Sequence, residues 1–149
     1  MKKIWRYFQD HFPAEEKEDE PPGIAFAAAA LMIEVSRSDQ VRQEIEQTSI
    51  LDSLKSQFVF TDGELEALVA SAEETVEDAN DLHQFTRLIN EHYHYDQRQN
   101  LVVQLWRVAY ADGRIDKFEE YIIRRIAGLL HLDNSDFVRA RLTARDSTG

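Results

Sequence analysis

A chain of 149 residues is long enough to bury a genuine core as one domain, and its 43% hydrophobic content is too high for a disordered polymer. Its 28 acidic residues against 17 basic ones leave a net charge of −11, which repels phosphate backbones. Nucleic acid is therefore set aside in favour of a protein partner, a cationic surface or a cation. The absence of cysteine removes disulfides, thiolate metal sites and thiol nucleophiles, and fits a reducing compartment.

Residues 1–12 place Ile4, Trp5, Phe8 and Phe12 on one helical stripe, with Lys2, Lys3 and Arg6 beside them. One reading is a short amphipathic helix that docks on the domain. The other is an anchor to a partner or to a membrane interface, which suits aromatic and basic residues on one short helix. No run reaches the ~18–20 apolar residues of a membrane span, and no small-residue cleavage site follows the two lysines. The expected location is the cytoplasm, with residues 1–12 offering contact at the inner face of the membrane. Residues 13–23, PAEEKEDEPPG, read as an acidic, proline-bounded linker that sets the helical domain at 24–145 apart.

The run IAFAAAALMIEVS at 24–36 is almost wholly apolar and alanine-rich, with Glu34 its only charge. Alanine is the best helix former and lets neighbouring helices approach closely, so this stretch predicts a buried central helix. Val41, Ile45, Ile50 or Leu51, Leu54 and Phe58 then recur at helical spacing. Thr61 with Glu64 predicts a capping box opening a helix whose buried face is Leu65, Leu68, Val69 and Ala72. The acidic stretch 73–81 is expected to end it as a solvated surface.

A further helix is predicted over 82–95, with Leu82, Phe85, Leu88 and Ile89 on one face. A pair follows at 101–111 and 116–132. The last helix starts at Asp133 or Ser135, with Phe137, Val138 and Leu142 inward and Arg139, Arg141 and Arg145 suited to its C-terminal end. No stretch alternates with period two, so the fold class is all-α, a compact bundle of seven to eight helices.

The pair at 101–132 meets at an acidic corner, ADGRIDKFE. Gly113 suits the left-handed residue that ends a helix, while Asp116 and Glu119 form a capping box for the next one. The same carboxylates also suit a hard cation. Asp112, Gly113, Asp116 and Glu119 match the second half of an EF-hand loop, but Val108 and Tyr110 fall where its first and third ligands belong, so a standard EF-hand is rejected. A composite site remains, pooling Asp39, Glu46, Asp112, Asp116 and Glu119, whose oxygen donors favour Ca²⁺ or Mg²⁺. His92 and His94, two apart, point to different sides of a helix, and His11, His83 and His131 stand alone in sequence, so zinc is not expected. No phosphate loop, nucleophile elbow or HExxH is present, and the chain reads as a non-enzyme.

A faint internal repeat lays Met32–Asp39 over Leu105–Asp112. In that register Asp39 matches Asp112 and Glu46 matches Glu119. It implies two helix–corner–helix units whose acidic ends could flank one cleft.

The corner, followed by Ile122, Ile123, Ile126, Ala127 and Leu130, resembles the tellurite-resistance TerB family. The resemblance spans about 24–142 and implies an all-helical fold with an acidic corner in each of two repeated halves. The second corner matches at Asp112, Gly113, Ile115, Asp116 and Glu119. The first matches only at Asp39 and Glu46 and lacks the glycine. Membership implies a bacterial accessory role in tellurite or other stress resistance, with the acidic residues as an interaction or metal-binding surface and no catalytic activity. The expected function is an interaction module working through its acidic surface or alanine-rich groove. The alternatives are a divalent-cation sensor or buffer and a peripheral membrane protein anchored by residues 1–12.

Overall fold

The computed structural model describes residues 23–36, 40–78, 82–111, 113 and 115–148, without the side chains of 40–47, 77–78 and 147–148. The anchor and linker expectations for residues 1–22 lie outside the described residues. Those described form seven helices and no strand: α1 (Ile24–Ser36), α2 (Gln40–Gln57), α3 (Asp62–Asp78), α4 (His83–His92), α5 (Tyr95–Tyr110), α6 (Lys117–Leu129) and α7 (Asn134–Thr148). The all-α expectation is met.

Helix α1 is the axis of the bundle. Every residue of it is buried except the half-buried Glu34, and it touches each of α2 to α6. Its run of alanines, Ala27 to Ala30, is at most 1% exposed, because small side chains let surrounding helices close in from all sides. That closure corrects one expectation: the alanine-rich surface is core, and among the described residues no groove is left along it for a partner.

Around this axis, Ile50, Leu54 and Phe58 of α2 and its end point inward as their spacing predicts, with Leu51 half-buried. Ser53 Oγ donates to Gln104 Oε1 at 2.8 Å, a buried link between α2 and α5. The Thr61–Glu64 box is present in both directions, at 2.9 and 3.2 Å. Leu65, Leu68, Val69 and Ala72 are buried as expected, and the helix ends within the acidic stretch 73–81. Glu73 and Glu74 are exposed, while Thr75 and Val76 are buried and the helix continues to Asp78. Val76 extends the stripe by four residues from Ala72, and Thr75 Oγ1 satisfies itself on the Ser71 carbonyl at 2.9 Å.

The helix expected over 82–95 ends at His92, and the next begins at Tyr95 rather than at Leu101. Tyr93 and His94 are extended, at φ −100° and −75°. Two side chains from the new helix hold this break: Gln97 Oε1 accepts from the His94 N–H at 2.7 Å, and Arg98 Nη1 donates to the Tyr93 carbonyl at 3.0 Å. Histidine is outside the residues that ordinarily mark a helix start, so the sequence carries no conventional signal there.

Helix α7 lies along α5 and buries Phe137, Ala140 and Ala144. Val138 and Leu142, expected inward, are 45% and 42% exposed. Two alanines let α7 approach α5 closely, and that rotates the larger pair outward.

Candidate functional site

The corner between α5 and α6 is built by backbone requirements. The Ala111 N–H bonds to the Val108 carbonyl at 3.2 Å and the Gly113 N–H to Tyr110 at 2.8 Å, closing the end of α5. Gly113 sits at φ +94°, where a side chain is penalised by backbone conformation alone, since a Cβ there would meet nothing within 4 Å. Asp116, extended at φ −88° and ψ 170°, is the N-cap of α6. Its Oδ1 accepts from the Glu119 N–H at 2.7 Å, and Glu119 Oε1 accepts from the Asp116 N–H at 3.1 Å. The capping box read from the sequence is therefore complete.

Glu119 is 0% exposed, on the buried face of α6 with Ile122 and Ile123. A buried carboxylate is costly unless hydrogen-bonded, and the positive end of α6 together with the Asp116 amide offsets that cost. Of the five carboxylates proposed for a composite cation site, Asp116 and Glu119 are thus brought together, each with one oxygen committed to a helix-end amide. Asp39 and Asp112 lie outside the described residues, and only the backbone of Glu46 is described, within α2. Among the described residues no three His, Asp or Glu side chains are grouped so as to hold a metal ion.

Outside the box, the first turns of α6 present a different surface. Phe118 is 43% exposed and Tyr121 60%, beside the exposed Lys117. Ile115, just before the helix, is half-buried against the core. Sequence reading did not single out this aromatic pair. The signal available was its position, since Phe118 and Tyr121 interrupt the polar outer face of an otherwise amphipathic helix.

The same turn of α6 is tied to α7. Arg141 Nε donates to Tyr110 Oη at 3.1 Å, its guanidinium lies 4.9 Å from the Trp106 ring centre, and it reaches Glu120 at 3.8 Å. Arg124 lies 4.7 Å over the Phe137 ring, and Trp106 and Phe137 pack at 5.5 Å between centroids. Arg141 therefore bridges three helices rather than decorating the end of α7, as its place in the sequence suggested. At the start of α7, Tyr95 Oη donates to Asp136 Oδ2 at 2.6 Å and accepts from the Asp133 N–H at 3.2 Å. The bond to Asp136 raises the Tyr95 pKa, whereas the Asp136 amide and Ser135 hydroxyl on Asp133 lower the pKa of that carboxyl.

A helical bundle closed on an alanine-rich axis, with a left-handed glycine and reciprocal Asp–Glu box at one helix junction, defines a helix–corner–helix module of the tellurite-resistance type. The family model described as tellurite resistance protein TerB matches residues 25–142, and the chain belongs to that family. Neither the curated proteins nor the solved structures contain a significant match. No helix among the described residues is long and apolar enough to cross a membrane.

Proposed function

We propose that this chain is a non-enzymatic accessory protein of the tellurite and stress-resistance type, working as an interaction module at the acidic corner. The observation that carries the reading is the exposed pair Phe118 and Tyr121, held on the first turns of α6 by the Asp116–Glu119 box. Aromatic side chains on a rigid element are typical anchors of protein interfaces, because they bury much area for little lost freedom. The charge around the pair is mixed: Lys117 is exposed beside it, and Glu120 reaches Arg141 at 3.8 Å and Arg124 at 4.0 Å. The complementary partner is a protein face with an apolar centre and a polar rim carrying both signs of charge.

The division of labour follows from burial. Glu119 serves the junction from inside, Asp116 serves it from the edge, and the aromatic pair meets the partner. Affinity capture from a native lysate tests this, comparing the chain with a Phe118→Ser/Tyr121→Ser variant. Both substitutions are at exposed positions, so the variant keeps its fold, which its melting temperature verifies. A partner recovered by the parent chain and lost with the folded variant supports the reading. Equal recovery of every bound protein by both chains would overturn it. Stabilisation of the protein by Ca²⁺ or Mg²⁺ at sub-millimolar concentration would instead favour the cation sensor.

A further inference from the structure

The outer flank of α7 pairs exposed apolar side chains with positive charge. Val138 and Leu142 stand one turn apart there, both exposed. Arg141 lies three residues beyond Val138 and Arg145 three beyond Leu142, so the four adjoin on one side of the helix. Arg124 of α6, over the Phe137 ring at 4.7 Å, sets a third guanidinium beside them, and Arg139 follows Val138 on the exposed surface.

The carboxylates nearby do not balance these arginines. Glu120 is shared between Arg124 at 4.0 Å and Arg141 at 3.8 Å, while Asp136 stands 3.9 Å from Arg139 and Asp146 3.8 Å from Arg145. Four guanidinium groups thus meet three carboxylates, at separations near the outer limit of an ion pair. The local excess is positive in a chain whose net charge is −11. A face of this kind fits an occupant that is apolar at one end and strongly acidic at the other.

The same chain carries such a stretch. Residues 8–20, FQDHFPAEEKEDE, offer Phe8 and Phe12 followed by five carboxylates between Glu15 and Glu20, with Lys17 the only basic residue. They lie outside the described residues and precede Gly23, which opens α1 by accepting from the Ala27 N–H at 2.8 Å. Extended, the chain from Phe8 to Gly23 reaches about 50 Å, against about 35 Å across a domain of this size, so the tether spans to α7. Single exposed ion pairs contribute little, but a tethered segment is present at roughly millimolar effective concentration, ahead of a second copy or an unrelated acidic peptide.

We propose that residues 8–20 fold back onto the outer flank of α7, with Phe8 and Phe12 covering Val138 and Leu142 and the acidic run meeting Arg139 and Arg145. The inference rests on α7 and is separate from the partner face at Phe118 and Tyr121.

Zero-length carbodiimide coupling of the full chain tests it, using Arg139→Lys/Arg145→Lys, which keeps both charges and supplies amines at exposed positions. Mass spectrometry of the monomer band should find positions 139 and 145 joined to carboxylates of residues 15–20. The yield should fall at least about threefold when Val138→Ser/Leu142→Ser is added, and again in 0.5 M salt, where charge attraction is screened within a few ångströms. Melting temperatures establish that each variant is folded. Coupling of positions 139 and 145 to Asp136 and Asp146 alone would overturn the inference. So would coupling to residues 15–20 found only in a dimer band, which assigns the face to a second copy. A yield indifferent to both the serine substitutions and salt would overturn it as well, as the mark of chance collision.

Discussion

Replacing Asp116 by alanine separates a capping carboxylate from a cation ligand, because the two roles predict opposite signs. In the structure Asp116 Oδ1 accepts from the Glu119 N–H at 2.7 Å at the start of α6. Losing a cap of this kind costs about 1 kcal/mol, and losing the negative charge at the helix N-terminus about 0.5 kcal/mol more. The expected loss is thus about 1.5 kcal/mol, or a melting temperature lower by roughly 3–6 °C for a domain of this size. Asp116→Asn retains an acceptor and should lose only the charge contribution, about a third of the effect. Urea denaturation is the assay, with the midpoint falling and the slope unchanged. Carboxylates gathered to bind a cation repel one another, so removing one from such a cluster stabilises the metal-free protein. An Asp116→Ala variant as stable as the parent or more so, in metal-free buffer, would refute the capping argument.

Three further outcomes follow from the rest of the structure. His131→Gly should raise stability by roughly 0.5–1 kcal/mol, read by the same denaturation, because glycine adopts the left-handed position without penalty. Arg141→Ala should lower stability by roughly 2 kcal/mol and increase hydrogen exchange in α7, since it removes the Tyr110 bond and the Trp106 stacking together. The pKa of Asp133 is lowered in the folded chain by the Asp136 amide and the Ser135 hydroxyl, so its contribution is present above the ordinary carboxylate pKa and lost as pH falls through the folded value. Melting temperature measured below pH 4 should therefore fall less steeply in Asp133→Asn than in the parent.

Much of this fold was legible because its signals are local. The alanine run of α1 announces close packing, and the Thr61–Glu64 and Asp116–Glu119 boxes announce helix starts by residue type and spacing alone. The break at Tyr93–His94 was hidden because Gln97 and Arg98 enforce it from inside the following helix. The outward turn of Val138 and Leu142 was hidden for another reason. Their spacing with Phe137 is helical, and only the close approach of α7 to α5 through Ala140 and Ala144 decides which face is inward.

The candidate site divides the same way. The corner was readable as a junction, and Gly113, Asp116 and Glu119 take the conformations that their residue types imply. The exposure of Phe118 and Tyr121 was readable only from their register on α6, off the face that carries the buried Ile122, Ile123 and Ile126. Arg141 likewise gave no hint of Trp106 and Tyr110, which lie a whole helix away in sequence.

The central claim is that the partner sits on the outer face of α6 beside the corner. Hydrogen exchange of the chain alone and within its captured complex tests this most directly. The expected result is added protection over residues 115–125, absent from the Phe118→Ser/Tyr121→Ser variant. Protection confined to the exposed faces of α2 and α3, with residues 115–125 exchanging as in the free chain, would contradict it.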